Sequence, residues 1–203
     1  MRNLRTSLLM LGVFSLLLGV IYPLAVTGIA QLLFPSRANG SLVEARGQGS
    51  GVGEQGVRNI GSELIGQQFS SPLYFHGRPS ECAYDASHSA GLNLGPTNPA
   101  LLARTRARVD SIRTEEGLPD GAPVPADLVL ASGSGLDPDI SPQSALLQVG
   151  RVARARDLDP ARVRSLVLRF TDQPLLGLFG QPRVNVLKLN LALDSMSGGT
   201  NVQ

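Results

Sequence analysis

Residues 6–36, TSLLMLGVFSLLLGVIYPLAVTGIAQLLFPS, contain no Asp, Glu, Lys, Arg or His, and Arg5 and Arg37 close the run on either side. A helix needs about 20 predominantly apolar residues to cross a hydrocarbon core about 30 Å thick. At about 1.5 Å per residue, a run of about 30 residues reaches roughly 45 Å. The stretch therefore reads as a transmembrane helix over 8–34, preceded by a short cytoplasmic N-terminus at 1–7. A cleaved signal peptide fits less well. Its apolar region is about 7–15 residues and ends at a small-x-small site, whereas Gly28-Ile29-Ala30 lies inside further apolar sequence. A buried core helix would show a polar face, and none is present. Pro23 breaks a helix hydrogen bond, which membrane helices tolerate when neighbours re-satisfy the backbone. It therefore points to helical neighbours.

Charge sets the expected orientation. Arg2, Arg5 and the amino terminus precede the span, and no acidic residue occurs among the first 43. The positive-inside rule then places the amino terminus in the cytoplasm and residues 35–203 outside it. The chain carries 18 basic and 16 acidic residues, and every acidic residue follows the span. With Arg2 and Arg5 set aside, the outer part is electrically balanced, so no basic patch for nucleic acid is expected. Cys82 is the one cysteine, which excludes an intrachain disulfide, and His76 and His88 are the two histidines. That set matches no standard zinc spacing, so no metal is expected.

Residues 37–57 are rich in glycine and polar residues. They read as a loop carrying a short strand at 41–46 and a hairpin tip, with a second strand at 57–65. Residues 69–79, FSSPLYFHGRP, concentrate Phe69, Tyr74, Phe75 and His76, which marks a core or a contact surface. Residues 87–99 read as an irregular loop. Three helices then begin alike, at Asn98-Pro99, Ser141-Pro142 and Asp159-Pro160, each a capping side chain followed by proline at the first helical position. The first runs to Glu116 before Gly117, with Leu101, Thr105, Val109 and Ile112 on one face. The second runs to Arg156, with Ala145, Val149, Val152 and Ala153 inward and Arg151 and Arg154 outward. The third runs to Phe170, with Val163, Leu166, Val167 and Phe170 at helical spacing. A strand is expected at 128–130. Residues 184–194, VNVLKLNLALD, alternate leucine with Lys188, Asn190 and Ala192, which reads as a strand of period two. The tail from Ser195 reads as frayed. The expected fold class is α+β: one N-terminal transmembrane helix followed by a mixed α/β extracytoplasmic domain.

Catalytic motifs are sparse. The only lysine, Lys188, lies among leucines, so no phosphate-binding P-loop exists. Gly133-Ser134-Gly135 lacks the spacing of a nucleophile elbow. Asp137 and Asp139 fall in SGSGLDPDISP (132–142), which has too few oxygens for a calcium loop. This segment reads as a rigid turn leading to the Ser141 cap, with Asp137 bonding local backbone N–H groups.

Several blocks in one order now carry a resemblance. They are Tyr22-Pro23-Leu24, GSELIGQ (61–67), YFHGRPS (74–80), NLGPTNP (93–99), VPADLV (124–129), SGSGLDPDISP (132–142), RVARAR (151–156), VNVL (184–187) and LNLALD (189–194). In these the chain resembles the C subunit of the Kdp-type potassium-transporting ATPase of bacteria. It departs at Leu92, where that family often has serine, and at Asp139, where it often has histidine or asparagine. The resemblance implies a non-catalytic subunit of an ATP-driven potassium uptake pump in the inner membrane. Its partners would be a potassium-translocating channel-like subunit, a P-type ATPase subunit, a very small membrane peptide and membrane lipid. The family is described as a catalytic chaperone that raises the ATP affinity of the ATPase subunit, hence an ATP-binding association. The resemblance brings no catalytic residue and no cofactor held by this chain, since ATP and potassium are handled by the complex. Asn93, Gly95, Ser134, Gly135, Asp137 and Pro138 stand as the candidate partner interface or structural loop. The alternative class is a membrane-tethered extracytoplasmic hydrolase using Ser134 or Asp137.

Overall fold

A computed structural model describes residues 2–48 and 55–196. The chain forms two compact units, Met1–Leu42 and Val43–Gln203. The first is helical from Arg2 to Leu33: α1 (Arg2–Leu16), a π turn (Leu17–Ile21) and α2 (Tyr22–Leu33). Pro23 explains the π turn. It has no N–H to give, and its ring crowds the carbonyl four residues earlier, at Gly19. The widened turn absorbs that mismatch without breaking the helix. None of the side chains of this helix is buried, and its leucines, valines and phenylalanine face outward all round. Such a surface suits a lipid or helical environment. A single turn, α3 (Pro35–Ala38), follows. There the amides of Gln31 and Asn39 pair with each other at 3.1 and 3.3 Å.

In the second unit, β1 (Leu42–Gln48) and β2 (Gln55–Ser62) pair as a two-stranded sheet. The hairpin is as expected, with ends shifted by one to three residues. Its tip at 49–54 and the tail beyond Met196 lie outside the described residues. Next come α4 (Pro99–Glu116), α5 (Ala126–Val129), β3 (Asp139–Ile140), α6 (Pro142–Arg156), α7 (Pro160–Arg169), β4 (Thr171–Asp172), β5 (Arg183–Asn185) and α8 (Val186–Met196). The three expected caps are present. Asn98 accepts from Ala100 N at 2.9 Å, Ser141 from Ser144 N at 3.1 Å and Asp159 from Ala161 N at 2.9 Å. β5 lies between β3 and β4, antiparallel to both, with Val184 opposite Ile140 and Thr171. Buried Val149, Val152, Val163, Val167, Val184, Leu189, Leu193 and Phe75 form the core between α6, α7, α8 and this small sheet.

Three expectations are corrected. Residues 184–194 are strand only to Asn185, then helix. The buried set Val186, Leu187, Leu189, Asn190 and Leu193 has helical spacing. Leu, Ala and Lys are strong helix formers, and Asn185 Oδ1 accepts Lys188 N at 3.1 Å to start the turn. Alternating leucines fit both periods, and helical propensity with packing on α7 selects the helix. Residues 128–130 are likewise not a strand. Ala126–Val129 make one helical turn that buries Leu128, because Leu128 N reaches Pro125 O at 3.2 Å and Leu130 N reaches Ala126 O at 2.8 Å. Arg151 is not outward. It is 5% exposed, because Glu116 and two loop carbonyls wait for its guanidinium.

Candidate functional site

Four of the six candidate residues share one braced loop. Asp137 accepts from Arg78 Nη1 at 2.8 Å and from its own turn at Asp139 N, 3.1 Å. Ser134 Oγ accepts Leu136 N at 3.1 Å, and Ser134 O accepts Ala90 N and Ser89 Oγ. Pro138 O accepts Val186 N at 3.0 Å, which ties the loop to the start of α8. Gly135 is buried at φ +70°, and a Cβ there would meet Cys82 Sγ at 2.5 Å and Ala90 O at 2.7 Å. Only glycine fits that combination of backbone and crowding. Asn93 (φ +51°) and Gly95 stand apart, on an exposed stretch that leads to the α4 cap.

The opposite side of this clasp comes from residues 78–84, which lie outside the six candidate residues. Ser80 Oγ donates to Gly135 O at 2.6 Å and accepts Tyr84 N at 2.9 Å. Tyr84 OH donates to Arg78 O. Ser132 N bonds Pro79 O at 3.2 Å, while Ser132 Oγ accepts Gly135 N at 2.9 Å. Burial, with the carboxylate of Asp137 adding to it, pushes the Tyr84 phenol above its ordinary pKa. At neutral pH it therefore stays protonated and able to donate. Downstream, Asp127 receives Ser141 N at 2.6 Å, Ser141 Oγ at 3.2 Å and Ser144 Oγ at 2.5 Å. Burial works to raise its pKa, but these donors together outweigh burial and hold the carboxyl below its usual range. Asp139 moves the other way: burial raises it, against the opposing pull of Arg183.

A second constellation clamps residues 72–77 from inside. Asn190 brackets Phe75, accepting its N–H at 2.8 Å and donating to its carbonyl at 3.0 Å. Gln148 brackets His76 in the same manner, at 2.7 and 3.1 Å. Arg151 donates to Pro72 O, Tyr74 O, Gln148 Oε1 and Glu116 Oε1, each within 3.0 Å. Burial raises the Glu116 pKa, with Arg151 opposing it. His76 Nδ1 lies 3.1 Å from Glu115 and Nε2 lies 3.1 Å from Ser71 O. Burial, then the charge of Arg151, lowers the imidazole pKa against the pull of those two acceptors. One signal for this clamp was available: Ser144, Gln148 and Arg151 are spaced by four and three along one helical face. Between clamp and clasp lies a cleft of about 350 Å³ lined by His76, Arg78, Tyr84, Arg108 and Glu115.

A local Ser-His-Asp cluster also occurs. Ser87 Oγ and Asp85 Oδ2 both approach His88 Nδ1, at 2.7 and 3.3 Å. A catalytic triad needs nucleophile and carboxylate on opposite ring nitrogens. Here both compete for one nitrogen on an exposed turn, so the arrangement cannot relay a proton.

Residues 4–195 match the family model described as KdpC, the K+-transporting ATPase c chain. The chain belongs to this family. A potassium-transporting ATPase KdpC subunit of Gemmatimonas aurantiaca is 54% identical over 200 residues, covering 97% of this chain and 94% of the relative. One from Methylococcus capsulatus is 52% identical over 197 residues, covering 96% and 98%. One from Sorangium cellulosum is 54% identical over 196 residues, covering 95% and 97%. As a KdpC family member the chain is a subunit of a potassium-transporting ATPase. The matched residues include the apolar helix, the clasp, the clamp and α8.

Proposed function

We propose that this chain is the non-catalytic, single-span subunit that assembles with and stabilises the potassium-translocating and ATP-hydrolysing subunits of a high-affinity uptake pump. A very small membrane peptide completes the complex. The observation that carries the reading is the match over 4–195, which includes the apolar helix as well as the globular unit. Arg2 and Arg5 ahead of the span support a cytoplasmic amino terminus and an extracytoplasmic domain in the bacterial inner membrane. ATP is hydrolysed on the cytoplasmic side, so a chaperone effect on ATP affinity acts through assembly or conformational coupling rather than through a nucleotide held by this domain. The clasp around Asp137 serves either as a brace within the domain or as an edge presented to a partner. The hydrolase alternative finds little support in the loop that motivated it, since Ser134 and Asp137 are engaged by Leu136 N, Arg78 and Asp139 N.

Purification of the tagged chain from native membranes tests the assembly directly. The expected result is co-elution of the channel-like and ATPase subunits. Elution alone, from membranes that retain potassium-stimulated ATPase activity, would overturn it. Orientation is read with a cysteine at the exposed position 164, in a Cys82→Ser background. An impermeant thiol reagent is expected to label it in spheroplasts without opening the cytoplasm. Calorimetric titration of the detergent-solubilised chain is expected to show no sub-millimolar ATP site, and a stoichiometric tight site would revive a direct role.

A further inference from the structure

The apolar surface of the globular unit is concentrated at one place that the clasp and clamp do not use. Between β4 and β5 the chain reads QPLLGLFGQP (173–182), ten residues without a charge. Leu175, Leu176, Leu178 and Phe179 are 70, 82, 80 and 66% exposed. At roughly 200 Å² for a large apolar residue, these four present on the order of 600 Å², the upper end of the largest patch on an ordinary monomer. That is most of the roughly 800 Å² that one partner contributes to a standard interface.

The tip is also pre-shaped. Leu175 N and Phe179 O bond at 2.9 Å, Phe179 N and Leu175 O at 3.0 Å, and Gly177 N reaches Pro174 O at 2.9 Å. Its base is pinned to the core by Val184, which is fully buried. Leu176 sits at φ +55°, in the left-handed region. A leucine there is an outlier where glycine or asparagine would rest without strain. A bulky apolar side chain is thus held outward at a conformational cost.

We propose that residues 174–180 are a docking knob that enters an apolar recess on another subunit of the potassium-transporting ATPase. The inference rests on the pump-subunit reading above. Charge distinguishes a protein recess from a lipid surface. Interfacial lipid anchors set Trp, Phe or Leu beside free Lys or Arg. This tip has the apolar residues but no Lys or Arg of its own. The adjoining Arg183 lies 3.4 Å from Asp139 and 3.9 Å from Asp172, so its charge is answered within the domain. An uncharged knob on a neutral base fits a dry protein pocket, where a few central side chains dominate affinity.

The test uses the full chain co-expressed with the other pump subunits. A photo-crosslinking amino acid replaces Leu178, and a separate L176S/L178S chain is compared with wild type. The expected result is an adduct to another pump subunit. The double variant should keep wild-type helix content and melting, yet co-purify with the pump about tenfold less well, as loss of a hot spot predicts. Adducts to lipid alone, or full recovery of the L176S/L178S complex, would overturn the knob while leaving the subunit reading intact. A wild-type chain that co-purifies with no other subunit would overturn both.

Discussion

Residues 72–77 and residues 132–138 are both irregular chain pressed against helices, and they are held in different ways. The first is gripped from within the core by side chains of α6 and α8, whose amides and guanidinium take the backbone groups that a neighbouring strand would otherwise satisfy. The second is gripped near the surface by hydroxyls, backbone groups and one partly exposed ion pair, Arg78–Asp137, with side chains 27% and 29% exposed. Burial separates their consequences. A buried polar group that loses its partner bears the full desolvation cost, whereas an exposed one recovers water. The inner clamp should therefore be rigid and intolerant. The outer clasp should be adaptable.

The strongest way to break this contrast is Arg151→Met. Arg151 and Glu116 have side chains only 6% and 4% exposed, and removing one member of a buried pair costs about 3–5 kcal/mol. Urea unfolding of the full chain in mild detergent should show a loss of that order, and adding Glu116→Leu should restore part of it. A loss below about 1 kcal/mol, the range of surface pairs, would mean that the clamp is no stiffer than the clasp. Asn190→Leu comes next, since it strips both backbone partners from the buried Phe75. About 2 kcal/mol is expected from two buried groups left unpaired.

Asp137→Asn should cost about 1 kcal/mol, given a pair that keeps contact with water. It should lower melting or recovery of the complex more than it alters potassium dependence, because exposed single charges are screened within about 8–10 Å. Unchanged melting and yield, with apparent potassium affinity weakened about tenfold, would correspond to roughly 1.4 kcal/mol in binding and would make this loop part of ion uptake instead.

The smallest effect depends on pH. The His76 pKa is lowered in the folded state, so the unfolded chain takes up the proton first, near pH 6.5. Its contribution to stability is complete above that value and declines as pH falls toward the lowered folded pKa. The difference between wild type and His76→Gln, measured from pH 7.5 to 5, isolates this contribution from that of Glu116, whose raised pKa acts in the opposite sense. A difference that does not change with pH would remove His76 from the clamp's electrostatics.

Much of this arrangement was legible in the chain. The three caps, the inward faces of α6 and α7, and the apolar helix follow from local rules that act within one or two turns. The clamp was less legible, because Arg151 looks like any helix arginine until Glu116 and the carbonyls of Pro72 and Tyr74 converge on it from distant parts of the sequence. Asn190 was hidden by the period-two reading of α8. Leucines at 187, 189, 191 and 193 satisfy a strand pattern, while burial at 186, 187, 189, 190 and 193 satisfies a helix.

The sequence by itself determined the long apolar helix, the charge balance on either side of it, the starts of α4, α6 and α7, and the family. Each depends on composition or on residues close in the chain, where propensity and hydrophobic length dominate. Only the tertiary structure decided that α8 is a helix, that Arg151 and Asn190 face inward, and that the β4–β5 tip is left bare. Those outcomes depend on which backbone groups lack partners once α6, α7 and α8 have packed. That balance between burial and hydrogen bonding exists only when segments about 35 to 115 residues apart have met.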